Sequence, residues 1–403
     1  MHIPSTTLLI ALAAAAHAKV APEWLQENHS NGDNPPTGKV DDVQKVVLTG
    51  GRDALNQTQP SSCPTIMIGT AKPKGDKDTG WEELPTVAGF DLKRVVVDDD
   101  TNATLPYFVE NTKDFSRVKR VIVTIAGARR NLANSSVLDM RNALVCAAGK
   151  DSVNADMDRV LVTAPQWLNE DDVDAGAGTS DDIYFEGNDY QKGDAAVGPG
   201  DVNLSSFEAM DKLVKSFWNK DVYPELDTVV IASHSLGAQM IQRYAMLRPT
   251  QPEDSKVHYG VMNPGSYAWP VTDRPLDDSS CNGTYNDWPY GISDDEPDAF
   301  PKYVRTDAVA GRSSIRERYF SRNIFYGFGL KDHGKGDSNC QAQWQGSTHL
   351  GRGRNFDDML KGLSGGFPKS QSVHYIEGVS HQDYKMFISD AMQKKMFLFD
   401  DNE

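Results

Sequence analysis

Val229-Val230-Ile231-Ala232-Ser233-His234-Ser235-Leu236-Gly237-Ala238 sets a strand-forming run directly against the start of a helical stretch, with no linker between them. A strand that becomes a helix this abruptly leaves the residue at the turn, Ser235, with its hydroxyl clear of the sheet. Such a turn strains the backbone at the serine and crowds the positions two before and two after it, which must be small. Gly237 meets that demand, and so does Ser233, which stands where glycine is usual. The helix behind Ser235 adds unpaired amide donors and the positive end of a dipole, both suited to a developing oxyanion. As a bare pattern Ser-His-Ser-Leu-Gly is weak, since an incidental loop serine would match it. Its strand-to-helix setting makes Ser235 the candidate nucleophile. His234 points away from the serine on such a turn and reads as a packing residue.

The flanking sequence alternates short apolar runs with helical patterns. Val121–Ile125, Arg159–Ala164, Val229–Ala232, Val257–Met262, Asn323–Gly327 and Val373–Ile376 read as strands. Ser135–Ala148, Gly237–Leu247 and a closing stretch from Asp383 to Phe397 read as helices. Ser205 and Glu208 have capping-box spacing, and Phe207, Met210, Leu213, Val214 and Phe217 follow as a helical stripe. Strands alternating with helices predict an α/β protein with a mostly parallel sheet covered on both faces. Residues 165–203 read as a long loop. Residues 263–318, rich in Pro and Asp, break the rhythm as an insertion. No internal repeat interrupts residues 61–403, which read as one domain.

The stretches Ser205–Glu208, Ser233–Gly237, Gln242–Ala245, Cys340–Ala342, Gln345–His349 and Gly378–His381 together resemble a group of secreted proteins of fungi and bacteria with the α/β-hydrolase fold. The likeness runs from about residue 85 to the end, with Ser233 and Ser380 where the group has glycine. It implies the fold, with a lid-like insertion at 263–318, and a serine triad in the chain order Ser, acid, His; it implies little about specificity.

His381 follows the last strand in Glu377-Gly378-Val379-Ser380-His381, where an imidazole can reach a serine atop the sheet and act as general base. The acid belongs after the penultimate strand, where Lys331-Asp332 stands, with Asp337 as a competitor five residues on. The same 332–337 loop also reads as a solvated turn or a weak calcium site. A zinc pair of His333 and His349 lacks ligand spacing, and neither metal nor cofactor is expected. For the oxyanion hole the backbone amides of Leu236 and of Ala128, in Ala126-Gly127-Ala128-Arg129-Arg130, are the candidates. Arg129 and Arg130 read either as orienters of an anionic group or as partners of surface carboxylates. Tyr267, Trp269, Tyr285, Trp288 and Tyr290 of the insertion, and Trp167, Tyr184, Phe185 and Tyr190 of the 165–203 loop, read equally as pocket wall or as packing. An ester, small or lipid-like, is the expected substrate, with a peptide or amide as the alternative. A binding protein that has lost catalysis is the rival from another class.

Composition bounds the compartment and the partners. Hydrophobic residues at 39% and charged residues at 24% exclude wholesale disorder. A formal net charge of −16 repels phosphate backbones, which argues against nucleic acid and anionic membrane surfaces. Leu8–Ala16 followed by Ala16-His17-Ala18 reads as a signal peptide over residues 1–18, too short to span a bilayer of ~30 Å, with Lys19 as the mature start. Residues 19–60 read as an extended polar arm, and the acidic tail excludes a lipid-anchor signal. Secretion suits Cys63, Cys146, Cys281 and Cys340, an even set with three possible pairings, of which Cys281–Cys340 with Cys63–Cys146 is preferred. It also suits glycosylation among the sequons at Asn28, Asn56, Asn102, Asn134, Asn203 and Asn282.

Overall fold

The computed structural model describes residues 75–399 except 77–78, 86, 88–89, 112, 129, 131–135, 154, 277–280, 282, 293–299, 305 and 308–310. The expected leader 1–18, the arm 19–60, Cys63, Arg129 and the sequons at Asn28, Asn56, Asn134 and Asn282 lie outside the described residues.

The main sheet contains β1 (Phe90–Asp98), β2 (Ala103–Glu110), β3 (Arg120–Val123), β4 (Val160–Pro165), β5 (Thr228–His234), β6 (Val257–Met262), β7 (Asn323–Gly329) and β8 (Gln371–Ile376). Their spatial order is β1-β2-β4-β3-β5-β6-β7-β8. Strands β3 to β8 run parallel, while β1 and β2 form an antiparallel edge. This is the α/β-hydrolase fold. The six expected strands are present, and β1 and β2 are additions. β1 alternates exposed and half-buried positions with charged side chains, so its hydrophobic signal is weak, and its hairpin turns at Asn102 with φ 57°.

The sheet is dry on both faces because its strands alternate apolar side chains between two cores. Val121, Val123, Val229 and Ile231 face one core, with α3 (Ser206–Phe217), α4 (Ser235–Leu247), α5 (Arg312–Ser321) and α7 (His349–Lys361). Ile122, Val230, Ala232 and Met262 face the other, with α1 (Ser136–Ala148), α8 (Asp383–Phe387) and α9 (Asp390–Phe397). Continuous β-branched runs are what a parallel sheet covered on both sides requires. The Ser205 hydroxyl accepts from the Phe207 amide while Glu208 accepts from the Ser205 amide, so the expected capping box starts α3.

Several expectations are corrected. The closing helix is two: Ser389 interrupts it, and its hydroxyl donates to the Met386 carbonyl, which a continuous helix would bond internally. The 165–203 loop contains α2 (Glu170–Ala175) and a two-residue parallel pairing of Leu168–Asn169 with Tyr184–Phe185. Helix α5 starts inside 263–318 and returns the chain from β6 to β7. α6 (Cys340–Gln343) and α7 fill the stretch between β7 and β8. The aromatic residues mostly pack: Tyr267, Trp269 and Trp288 are buried, as are Trp167, Phe185 and Tyr190. Tyr267 stacks on Phe356, and Trp167 on Tyr190. Cys281 and Cys340 form a disulfide, and Cys146 is also disulfide-bonded.

Candidate active site

Four segments meet at the carboxyl ends of the parallel strands, where ligands of open α/β sheets bind. They follow β3, β5, β7 and β8, and each brings one sequence-predicted element.

After β5 the chain turns at Ser235, whose φ of 58° is a left-handed conformation that a side chain disfavours by about 1–2 kcal/mol. The turn is held from below. A Cβ on Gly237 would lie 2.5 Å from the Ile125 carbonyl oxygen and 2.6 Å from Ser233 Oγ, so any side chain there would push the β3 loop off the elbow. Ser233 uses its hydroxyl to donate to the same Ile125 carbonyl. Leu236 lies in the first turn of α4, where backbone N–H groups lack intrahelical partners. Ala128 is exposed in the adjoining β3 loop.

After β8, His381 reaches back over the elbow. Its Nε2 is 2.9 Å from Ser235 Oγ, and its Nδ1 is 2.7 Å from Asp332 Oδ2. Asp332 follows β7 and is fully buried, its loop close to the base loop because Gly329 has no side chain: a Cβ there would meet the Val379 carbonyl oxygen at 2.6 Å. The Lys331 amide donates to that same carbonyl at 2.8 Å. Burial alone would raise the Asp332 carboxyl; contact with His349 and His381 outweighs it and holds the group well below the usual carboxylate range. Asp332 is therefore an anion aimed at an imidazole that is aimed at a hydroxyl.

Asp337 is engaged elsewhere. Its Oδ2 accepts from the Ser266 and Tyr290 hydroxyls, each at 2.9 Å, and its Oδ1 from the Asn339 amide at 3.0 Å. Arg130 is buried and paired with buried Asp172, Nε to Oδ2 at 2.9 Å, so it anchors the loop bearing Ala128 and does not face a ligand. His333 is exposed, whereas His349 is buried beside Asp332; the structure does not bring the two together as a zinc pair.

Two side chains take places that the sequence did not assign to them. Asn263, after β6, donates to His234 Nε2 and to the Ser380 carbonyl, each at 3.2 Å, and accepts from the Gly329 amide at 2.8 Å. It ties the ends of β5, β6 and β7 to the loop of His381. His349, the first residue of α7, has its Nδ1 3.2 Å from Asp332 Oδ1, at ion-pair distance though out of hydrogen-bond alignment. His234 packs its ring 4.4 Å from that of His381. Burial, with His381 nearby, drives His234 well below the usual histidine range; burial also lowers His349 against the pull of Asp332. Only long-range assembly joins these residues. Position in the chain gives Asn263 no signal, and His349 only its place in Gly346-Ser347-Thr348-His349.

Among the described residues, His234, Asp332 and His381 bring three potential ligand atoms within 4.8 Å of one another. His381 Nδ1 and Asp332 Oδ2 are already hydrogen-bonded to each other, and His234 Nε2 accepts from Asn263, so the donor set is committed to protons.

No protein-family model matches the chain, and no curated protein matches it by sequence. Solved structures do. A poly(3-hydroxybutyrate) depolymerase from Bordetella parapertussis superposes with a TM-score of 0.50 at 17% identity, over 78% of this chain and 93% of its own. A poly(aspartic acid) hydrolase from Sphingomonas sp. KT-1 superposes with a TM-score of 0.51 at 17% identity, over 76% and 98% respectively. At such identities the likeness is one of fold.

Proposed function

We propose that this chain is a secreted serine hydrolase that cleaves a carboxylic ester, small or lipid-like, through an acyl-enzyme on Ser235. The observation that carries the reading is the unbroken path from Ser235 Oγ to His381 Nε2, 2.9 Å, and from His381 Nδ1 to Asp332 Oδ2, 2.7 Å. Ser235 Oγ attacks the ester carbonyl as His381 Nε2 takes its proton. Asp332 holds the imidazole tautomer and stabilises the imidazolium. The Leu236 and Ala128 amides donate to the tetrahedral oxyanion. Collapse expels the alcohol, protonated by His381, and water activated by the same imidazole releases the acid and restores Ser235.

Burial and ionisation of Asp332, against the engagement of Asp337 with Ser266 and Tyr290, favour Asp332 as the acid. Secretion draws support from the Ala16-His17-Ala18 pattern, the Cys281–Cys340 disulfide and the exposed sequons at Asn102 and Asn203. Among the described residues no helix is long and apolar enough to cross a membrane.

A fluorophosphonate probe and a panel of chromogenic esters and peptide amides test the reading on the full chain. Labelling that vanishes in Ser235→Ala, with ester turnover, is the expected result. Turnover confined to amides would move the reading to a peptidase on the same residues. Folded protein that neither labels nor turns over would be a binding module.

A further inference from the structure

Resting on the esterase reading above, we propose that His349 is a positioning residue of the site: it pins the second oxygen of Asp332 and one face of the His381 ring. A carboxylate bound through one oxygen can rotate about Cβ–Cγ and present either oxygen to its partner. Here both oxygens are occupied. Oδ2 faces His381 Nδ1 at 2.7 Å, while Oδ1 faces His349 Nδ1 at 3.2 Å and the Gly334 amide at 3.4 Å. The His349 ring also stacks on that of His381, with centroids 4.1 Å apart and 25° between planes. His234 lies against His381 as well, 4.4 Å away at 50°. Stacking of this kind restrains ring rotation and keeps Nε2 on Ser235.

The backbone makes the placement of His349 deliberate. Its own amide donates to the Gly334 carbonyl at 2.9 Å, and the Leu350 amide donates to the Asp332 carbonyl at 3.0 Å. The loop after Asp332 is thereby clipped to the start of α7. That loop wraps the ring through glycines. A Cβ on Gly336, where φ is +61°, would lie 2.6 Å from His349 Nε2, and one on Gly334 3.2 Å from Nδ1. The groups facing His349 are Asp332, His381 and Arg352. With a buried guanidinium on one side and an imidazole that must become cationic on the other, a neutral ring suits the position; its Nδ1 lies 3.2 Å from Oδ1 without adding charge.

Two variants and two readouts test this on the full chain. His349→Phe keeps a stackable ring and loses the nitrogen; His349→Gln keeps a neutral donor and loses the ring. In His349→Phe, Oδ1 keeps only the Gly334 amide, and its electron density turns to His381. The Nδ1–H proton of the His381–Asp332 hydrogen bond, followed by NMR in histidine-labelled protein, then shifts its resonance, and the acid limb of kcat/KM moves to higher pH. The kcat falls roughly 10- to 100-fold with KM within about twofold. His349→Gln recovers part of the kcat loss through its donor.

An unmoved His381 Nδ1–H resonance with an unchanged kcat in both variants would overturn the proposal. If His349→Phe fails to fold, an unmoved resonance and unchanged kcat in His349→Gln, which has lost the stacking ring, overturns it alone. A moved His381 Nδ1–H resonance in a chain whose wild type neither labels nor hydrolyses would sink the esterase reading while leaving the positioning role standing.

Discussion

The turn at Ser235 and the loop after Asp332 converge on one imidazole, yet they are held in opposite ways. The turn is shaped by neighbours in the chain, a strand, a helix and small residues at 233 and 237, with one distant support, the Ile125 carbonyl that closes in beneath. The acid loop has no regular structure of its own between Gly329 and Cys340. It is held by distant groups. The buried Arg352 guanidinium donates to carbonyls of Gly265, Lys335, Asp337, Ala342 and Gly346, and the disulfide ties Cys340 to Cys281. A locally made element is strained but self-sufficient. A remotely held one is relaxed but depends on every tether.

Ser235 tests the local side most severely. Ser235→Ala should lower kcat by at least ~10⁴-fold, measured with the best ester of the panel, while the melting temperature barely moves. Ser235→Gly should be equally inactive yet more stable, by about 1 kcal/mol in chemical denaturation, because glycine accepts φ 58° without a Cβ penalty. A glycine variant less stable than the alanine variant would mean that the turn stores no strain.

On the remote side, Asp332→Asn should cost roughly 10⁴-fold in kcat, since an amide N–H donating to Nδ1 favours the wrong His381 tautomer. Asp337→Asn should lose no more than about tenfold, through looser bonding of Ser266 and Tyr290. Equal losses would erase the division between acid and scaffold.

Arg352→Met sharpens the dependence on tethers. It leaves carbonyls in the loops around Gly265, Lys335 and Gly346 without their donor, and should destabilise the chain by about 2–4 kcal/mol. The activity of the protein that remains folded should also fall, because the same loop carries Asp332. Full specific activity in a destabilised variant would show the acid to be held by its strand alone.

The same division explains what could be read from the amino acids. The elbow, the six parallel strands and the capping box at Ser205 arise from adjacent residues, so pattern and propensity expose them. His381 and Asp332 were legible as positions after the last two strands, because strand order fixes which loops share the sheet's carboxyl edge. The division of labour between Asp332 and Asp337 was not, since it depends on Ser266 and Tyr290, which lie 71 and 47 residues away in sequence. Asn263 was silent, and His349 showed only as the end of Gln345–His349 and as half of a zinc pair without ligand spacing. β1 escaped because a third of its side chains are exposed and its charged residues mask the period of two.

The smallest expected effect lies away from both regions and supplies their baseline. On β6, burial, with Arg120 and Lys395 nearby, lowers His258 from 6.5 to about 4. His234, His349 and His374 shift in the same direction. An unfolded chain binds protons on these histidines near pH 6.5, while the folded chain resists until lower pH. Stability is therefore complete above about pH 6.5 and declines as pH falls toward 4, by at most about 1.4 kcal/mol per pH unit for each group. His258→Gln should flatten that slope by one group's share, read from urea midpoints between pH 4 and 7, without moving the pH profile of ester turnover. If the slope survives the substitution while the activity profile shifts, His258 is coupled to the site, and the separation between a locally built turn and a remotely tethered acid would have to include β6.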